Sequence, residues 1–386
     1  MYPTISDLLK DIFGISLPLP IQSFGFFVAI SFLLGSYTLS LELKRKEKQG
    51  LLQPVTKRRL EGAPVKPTEL IIAGIIGFLI GYKLIFFIFN YSTLVANPQQ
   101  ALLSGEGSFA GGLAGAAISL YLKYREKVKS KKDKPEWVEE KIHPYQLVGN
   151  ITMVAAIAGL IGAKIFHNLE NIDDFITDPV DALVSFSGLT MYGGLIVGAA
   201  AVIWYGKKNG ISPLHLSDAS APGLMLAYGF GRIGCQVAGD GDWGIVNTTP
   251  KPHWMSFLPD WAWSYRFPHN VINEGIPIPN CEGKHCSVLE LPVFPTPFYE
   301  VVVCIALFFV LWGIRKRFTS PGMMFSVYLL LNGIERFFIE LIRVNTKYHL
   351  AGIEFTQAQL ISLCLIILGG FGIYYFRAKA QKTQSL

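Results

Sequence analysis

Residues 298–317 read FYEVVVCIALFFVLWGIRKR. From Val301 to Ile314 no side chain carries a charge, and the run closes on Arg315, Lys316 and Arg317. A helix crossing a bilayer needs about 20 apolar residues, and Lys and Arg gather at its cytoplasmic end. The stretch therefore predicts a transmembrane helix that enters from outside and leaves into a basic cytoplasmic loop. Composition extends this reading to the whole chain. Of 386 residues, 51% are hydrophobic and 16% are charged, against about 25% charged in a soluble domain. An ordinary cytosolic enzyme, a disordered chain, a collagen-like fibre and a disulfide-rich secreted scaffold are all excluded.

Working outward, windows at 21–41, 69–90, 109–122, 149–167, 189–205, 219–238, 298–314, 322–341 and 358–376 are candidate spans. The expected fold is an all-α polytopic integral membrane protein with about nine transmembrane helices. Segments 42–68 and 123–148 each hold eight Lys and Arg, whereas 91–108 and 168–188 hold none. The positive-inside rule then places the N-terminus outside and the C-terminus in the cytoplasm. Residues 1–20 read as an external amphipathic segment with no signal-peptide pattern. Residues 21–68 carry the first span and a basic loop, 69–148 an inserted hairpin, 149–238 core spans, 239–297 an external loop, and 298–386 the C-terminal spans and tail. The net charge of +6 is explained by topology, with anionic-lipid recognition as the other reading, and no nucleic-acid partner is expected. Cys235, Cys304 and Cys364 read as packing residues, while Cys281 and Cys286 in the external loop suit a disulfide or, with His285, a metal site.

The chain contains a parallel repeat. Leu79-Ile80-Gly81, Lys83, Asn90, Pro98, Ala101-Leu102 and Ser104 recur as Leu160-Ile161-Gly162, Lys164, Asn171, Pro179, Ala182-Leu183 and Ser185. Gly111-Gly112-Leu113 recurs as Gly193-Gly194-Leu195. Where the second copy has His167 and Tyr192, the first has Phe86 and Ala110. The first copy reads as an added structural hairpin and the second as part of the working core.

Ionisable groups inside spans are costly, about 2.5–3.5 kcal/mol or more for Arg or Lys at a helix centre, so those present are functional candidates. Arg232 lies among glycines in GFGRIG (229–234), followed by Gly239, Asp240, Gly241 and Asp242. This suits an anion approached closely by backbone, or a snorkelling Arg at the interface. Arg336, Glu340 and Arg343 share one helix face at i, i+4 and i+7, either as a self-neutralising ladder or facing a polar cavity. His167 is a candidate general base or a structural hydrogen-bonder; Lys164, with Lys83 as its counterpart, is as readily structural. Tyr299-Glu300 opens the seventh span, below a loop with four Trp that suit the membrane interface. No nucleotide, hydrolase or zinc signature occurs, so neither a metal nor a cofactor is expected.

In combination these residues resemble the prolipoprotein diacylglyceryl transferase family. Gly231-Arg232-Ile233-Gly234 with Gly239-Asp240 and Trp243-Gly244 is similar to its signature GR[IL]GNFxNGExxG. Tyr192-Gly193-Gly194-Leu195 is similar to HGGL, Ser217-Asp218 with Ala221-Pro222 to SDxxAP, and Phe298-Tyr299-Glu300 to QLYE. Arg336 to Arg343 matches RxxxExxR at the same spacing, and Gln359-Leu360-Ile361-Ser362 resembles QILS. The chain departs from the family pattern at Tyr192, Cys235, Ala238 and Asp240, and 239–244 is one residue longer.

The resemblance implies an enzyme of the bacterial inner membrane. It would transfer the diacylglyceryl group of phosphatidylglycerol to the lipobox cysteine of an exported preprolipoprotein and release glycerol 1-phosphate. It implies Arg232 and Arg336 on the phosphate and Tyr192 or His167 relaying the thiol proton. Gly193, Gly194, Gly239, Asp240, Tyr299, Glu340 and Arg343 would complete substrate binding, in a monomer. Two other classes stay open: a small-anion channel or transporter using the same Arg pair, and, from the departures, a non-catalytic lipid- or lipoprotein-binding relative.

Overall fold

A computed structural model describes residues 1–384 except 63–65, 97, 131–135, 185–187, 319 and 351–352. Ser185 of the repeat and Lys131, Lys132 and Lys134 of the second basic loop lie outside the described residues. The chain opens with α1 (Ile5–Phe13), whose first turn is closed by a capping box between Thr4 and Asp7. Then come α2 (Ser23–Lys48), strand β1 (Val55–Glu61), α3 (Pro67–Phe89), the short α4 (Tyr91–Ala96) and α5 (Pro98–Leu103), α6 (Phe109–Ser130) and strand β2 (Glu136–Ile142). Helices α7 (Val148–Glu170), α8 (Ile172–Thr177), α9 (Pro179–Val184), α10 (Met191–Lys208) and α11 (Pro213–Ala238) follow. After a long loop with strands β3 (Ile276–Pro277) and β4 (Ser287–Val288) come α12 (Thr296–Ile314) and α13 (Met323–Glu340). Strands β5 (Lys347–Leu350) and β6 (Ile353–Thr356) and helix α14 (Gln357–Gln384) end the described chain.

Five helical segments, Ser23–Lys48, Pro67–Phe89, Pro144–Glu170, Thr296–Ile314 and Gln357–Lys382, are long and apolar enough to cross a membrane. Their outer faces carry what water would not tolerate: Ile71, Ile72, Ile75, Ile76, Leu79 and Ile80 are all more than half exposed. Helices apolar all round belong in lipid. The protein is a mostly helical membrane protein.

The expectation of an all-α fold is corrected. Three two-stranded antiparallel sheets pair β1 with β2, β3 with β4 and β5 with β6. The first joins the two basic loops in register from Val55↔Ile142 to Glu61↔Glu136, so segments read only as topology signals form a ribbon. Its Thr56, Val55, Val138 and Ile142 supply β-branched side chains that suit a strand. The expected span 109–122 is also too short, because α6 continues to Ser130.

The elements from α3 to α6 and from α7 to α10 follow the same plan: long helix, two six-residue helices, long helix. In each, glycines let the two long helices touch. A Cβ on Gly81 would lie 2.2 Å from the Gly111 carbonyl oxygen, and one on Gly193 would lie 2.5 Å from that of Gly162. Lys83 explains itself in this plan. Its Nζ donates to the carbonyls of Ala101 (3.0 Å), Ser104 (2.5 Å) and Glu106 (2.9 Å), binding the short helices back onto α3.

The centre of the bundle is α11, packed against α2, α12 and α13. Its lower end is locked to α13. Asp218 accepts hydrogen bonds from the backbone N–H groups of Gly322 and Phe325, each at 2.9 Å, and so caps α13. Lys46 of α2 stands 3.7 Å from the same carboxylate. Beside it Glu42 holds Arg45 at 2.7 Å and Arg315 at 2.8 Å. Buried charges are tolerated here because they are paired.

Candidate active site

At the other end, α11, α12 and α13 bring their polar residues to one place. Glu300, the fifth residue of α12, is fully buried. Its carboxylate meets three guanidinium groups: Arg232 of α11, Arg336 of α13 at 2.9 Å and Arg343 just past α13 at 3.4 Å. Arg232 also pairs with Asp242, Arg343 with Asp242 at 2.5 Å, and Arg336 with Glu340 at 3.2 Å. The Tyr228 ring lies 5.3 Å from the Arg232 guanidinium carbon, a cation–π contact. Asn345 and Thr356 donate to Glu340 at 2.5 and 2.8 Å. Charged pairs in so dry a site are strong only because each has its partner.

The loop between α11 and α12 is sewn to this cluster by its backbone. Gly239 ends α11 in the left-handed region (φ 66°) and turns the chain over the site. Gly244 N–H donates to the Phe294 carbonyl at 2.8 Å, and Ile245 N–H to that of Ile342 at 2.8 Å. A Cβ on Gly244 would meet the Ile342 carbonyl oxygen at 2.5 Å, so only glycine allows this crossing. Thr296 Oγ1 donates to the Asp242 carbonyl at 2.7 Å. Above lies a small core of Trp243, Phe267, Leu289 and Val293, and Cys281 and Cys286 form a disulfide in the same region.

Burial pushes the Asp242 carboxyl up, but Arg232 and Arg343 more than reverse that and hold it below the usual carboxylate range. Asp240 goes the other way, raised by burial and then by the Asp242 charge. Cys235, Asp240 and Asp242 place three metal-ligand atoms within 4.8 Å of one another. Both Asp242 oxygens are already engaged by guanidinium groups, which sets this trio against a cation.

The family model described as prolipoprotein diacylglyceryl transferase matches residues 130–375. The chain belongs to the prolipoprotein diacylglyceryl transferase family. It is 29% identical over 60% of its length to a phosphatidylglycerol–prolipoprotein diacylglyceryl transferase of Clostridium tetani, covering 82% of that protein. It is similar to a protein of the same name from Leptospira interrogans serovar copenhageni over the whole chain and 98% of that protein, at 25% identity. A Pseudomonas fluorescens protein of that name is 29% identical over 64% of the chain and 81% of its own length.

Set on the structure, the candidate site residues divide into three groups. Arg232, Arg336, Glu340 and Arg343 meet directly at the cluster. Tyr192 joins them electrostatically, with Arg336, Glu340, Arg343 and Arg232 as its charged neighbours. Asp240 stands one step away, its Oδ1 3.4 Å from the Asp242 N–H, and Gly239 supplies the turn that leads to it. The third group is elsewhere. The His167 ring packs on Gly188 and lies 3.3 Å from the Asn171 amide. Gly193 and Gly194 face Gly162 and Gly159 across the α7–α10 crossing. The Tyr299 hydroxyl reaches the Trp263 carbonyl at 3.5 Å.

Sequence reading left Glu300 and Asp242 out of the site. Glu300 was visible as the carboxylate opening an apolar span. Asp242 was hidden because the 239–244 segment is one residue longer than the family pattern, which drew the match to Asp240.

Proposed function

We infer that the protein transfers the diacylglyceryl group of phosphatidylglycerol to the lipobox cysteine of a prolipoprotein, the first step of lipoprotein maturation. A thioether forms and glycerol 1-phosphate leaves. The observation that carries the mechanism is the convergence of Arg232, Arg336 and Arg343 on the single buried carboxylate of Glu300. Such an arrangement is preorganised to receive a phosphate, because planar guanidinium groups bind its oxygens bidentately in a low-dielectric site.

The substrate brings its own nucleophile. The thiol sulfur bonds to the glyceryl carbon, the carbon–oxygen bond to phosphate breaks, and its electron pair passes to the phosphate oxygen. Arg232 and Arg336 stabilise the charge that grows there. The thiol must give up its proton, from a reference pKa of about 8.5, and this proton passes to the departing phosphate. Tyr192 is the better relay than His167, since its charged neighbours are the cluster itself. Glu340 and Arg343 orient Arg336, and Asp240, Gly239, Gly193, Gly194 and Tyr299 shape the surroundings.

The same reading places the protein in the bacterial inner membrane as a monomer with nine spans, N-terminus outside and C-terminus in the cytoplasm. Nine helices of 18 or more described residues cover the nine sequence windows, and the basic segments alternate as the positive-inside rule requires.

The test is mass spectrometry of a lipobox peptide incubated with purified protein and phosphatidylglycerol. Wild type adds one diacylglyceryl group to the cysteine. Arg232→Ala and Arg336→Ala each lower the rate by at least about 100-fold, the scale on which a lost charge-stabilising donor is felt. Full-rate modification by both variants would sink the assignment of the phosphate site.

A further inference from the structure

Thr356 ends β6 just before α14, and the mechanism above gives it no role. It is buried, as is Glu340 beside it. Its hydroxyl oxygen accepts from the Gln359 N–H at 3.2 Å, while the Gln359 side chain accepts from the Thr356 N–H at 3.0 Å. This reciprocal pair is a capping box for the first turn of α14. With a lone pair so engaged, the hydroxyl still has its proton to give. It gives it to Glu340 Oε1 at 2.8 Å. The Asn345 amide donates to the same oxygen at 2.5 Å, from the other end of the β5–β6 pair. Two neutral donors thus hold Oε1, and Oε2 is left facing Arg336 Nη2 at 3.2 Å.

A cap alone needs no such partner, because an N-cap threonine works by accepting from backbone N–H groups. What the extra bond fixes is Arg336. That guanidinium stands between two carboxylates, Glu300 at 2.9 Å and Glu340 at 3.2 Å. Its side chain is 19% exposed, against 9% for Arg232 and 8% for Arg343. It is the most open of the three arginines and depends most on its carboxylates for direction. Glu340 cannot rotate its carboxylate away from Arg336 without breaking both bonds to Oε1.

We propose that Thr356 and Asn345 are positioning residues for the phosphate site. By fixing Oε1 of Glu340 they aim Oε2 at Arg336, and so set the angle at which that guanidinium meets the phosphate of phosphatidylglycerol. The β5–β6 pair is fastened at both ends to one carboxylate oxygen, which ties the start of α14 to the site.

This inference rests on the transferase reading, and two arms separate their failures. The first needs no turnover: calorimetric affinity of the full-length protein in detergent for glycerol 1-phosphate. The second is KM for phosphatidylglycerol in the lipobox-peptide assay. Thr356→Val keeps the shape of the side chain and loses the hydroxyl. It weakens glycerol 1-phosphate binding and raises KM, each about tenfold, as expected for a lost hydrogen bond to a charged group, with a smaller change in kcat. Thr356→Ser, which keeps both donor and cap, restores the two values. Asn345→Ala shifts both in the same direction as Thr356→Val. A residue that only stabilises the fold would act independently of Glu340, so the double variant is decisive. On Glu340→Gln, whose amide no longer pairs with Arg336, adding Thr356→Val or Asn345→Ala changes KM by less than about twofold, because residues in one network are not additive.

The proposal is overturned if Thr356→Val inserts and folds yet keeps the wild-type affinity and KM. It is equally overturned if Thr356→Ser is as impaired as Thr356→Val, or if either effect persists undiminished on Glu340→Gln. Should Thr356→Val fail to insert, Asn345→Ala, alone and on Glu340→Gln, decides by the same criteria. A protein that binds glycerol 1-phosphate in this Thr356-dependent way but forms no thioether would uphold the positioning role and defeat the transferase reading. Thioether formation with a KM indifferent to Thr356 and Asn345 would do the reverse.

Discussion

One carboxylate, Glu300, organises three arginines, and one more, Asp242, clasps two of them from the loop after α11. Their pairing has a definite consequence for pH. The folded protein holds Asp242 below the usual carboxylate range, so its contribution to stability is fully present above the unfolded value of about 4 and is lost as pH falls through the folded one. Asp242→Asn should therefore unfold at lower temperature than wild type near neutral pH, with the gap closing as the pH drops below about 4. Thermal unfolding in detergent across that range measures it; a gap that stays constant with pH would mean the Arg232 and Arg343 pairs contribute nothing. Asp240, raised by burial, has the opposite sign and cannot mimic this result. At this scale the sequence was half legible. The spacing of Arg336, Glu340 and Arg343 puts them on one face of a helix, and that can be read in a line of text. The meeting of that face with Glu300, 36 residues earlier, and with Asp242 is a fact of packing, which no spacing reports.

The elements explain why the meeting happens at the right depth. Asp218 caps α13 by accepting from Gly322 and Phe325, which fixes the start of α13 beside the sixth residue of the long helix α11. Arg232 lies 14 residues beyond Asp218, and Arg336 lies 14 beyond Gly322. At 1.5 Å per residue both rise about 21 Å, so the two arginines arrive level. The capping carboxylate is thus a register mark for a site at the far end of both helices. Asp218→Ala removes a cap, a loss of about 1–2 kcal/mol, and leaves Lys46 without its partner. Its apparent melting temperature should fall, and its transfer rate should fall more than that loss of folded protein explains, since the arginines no longer align. Rates that track the folded fraction alone would reduce Asp218 to a stability residue. The motif around Asp218 could be recognised in the sequence, but its reason could not, because the groups it caps are over 100 residues away. The β1–β2 ribbon was missed for a similar cause: its lysines and glutamates dominate any reading by charge, and strand pairing between residues 55–61 and 136–142 is a long-range event.

For the whole molecule, the question is what the hairpin of α3–α6 does. It repeats the plan of α7–α10 without His167 or Tyr192, and the family match begins only at residue 130, the last residue of α6. The Leptospira relative nevertheless aligns over the whole chain. A side-chain hydrogen bond from the hairpin to the rest of the bundle runs from the Tyr91 hydroxyl to the Pro18 carbonyl. The ribbon offers a clean way to remove it. Glu61 pairs with Glu136 as the last rung of β1 and β2, so a two-residue Asn-Gly turn replacing 62–135 would close the same strands as a hairpin. Helices α3 and α6 leave together, so on the proposed topology every later span would keep its orientation. The shortened protein should insert in the membrane and modify a lipobox peptide within about tenfold of the wild-type rate, because Arg232, Glu300 and Arg336 are all retained and their fastening at Asp218 and Gly244 lies outside the deletion. Insertion and the peptide's mass report the two parts separately. A variant that inserts and folds but forms no thioether would show that the added hairpin is part of the working site, and that the absence of polar groups from it had been misread as absence of function.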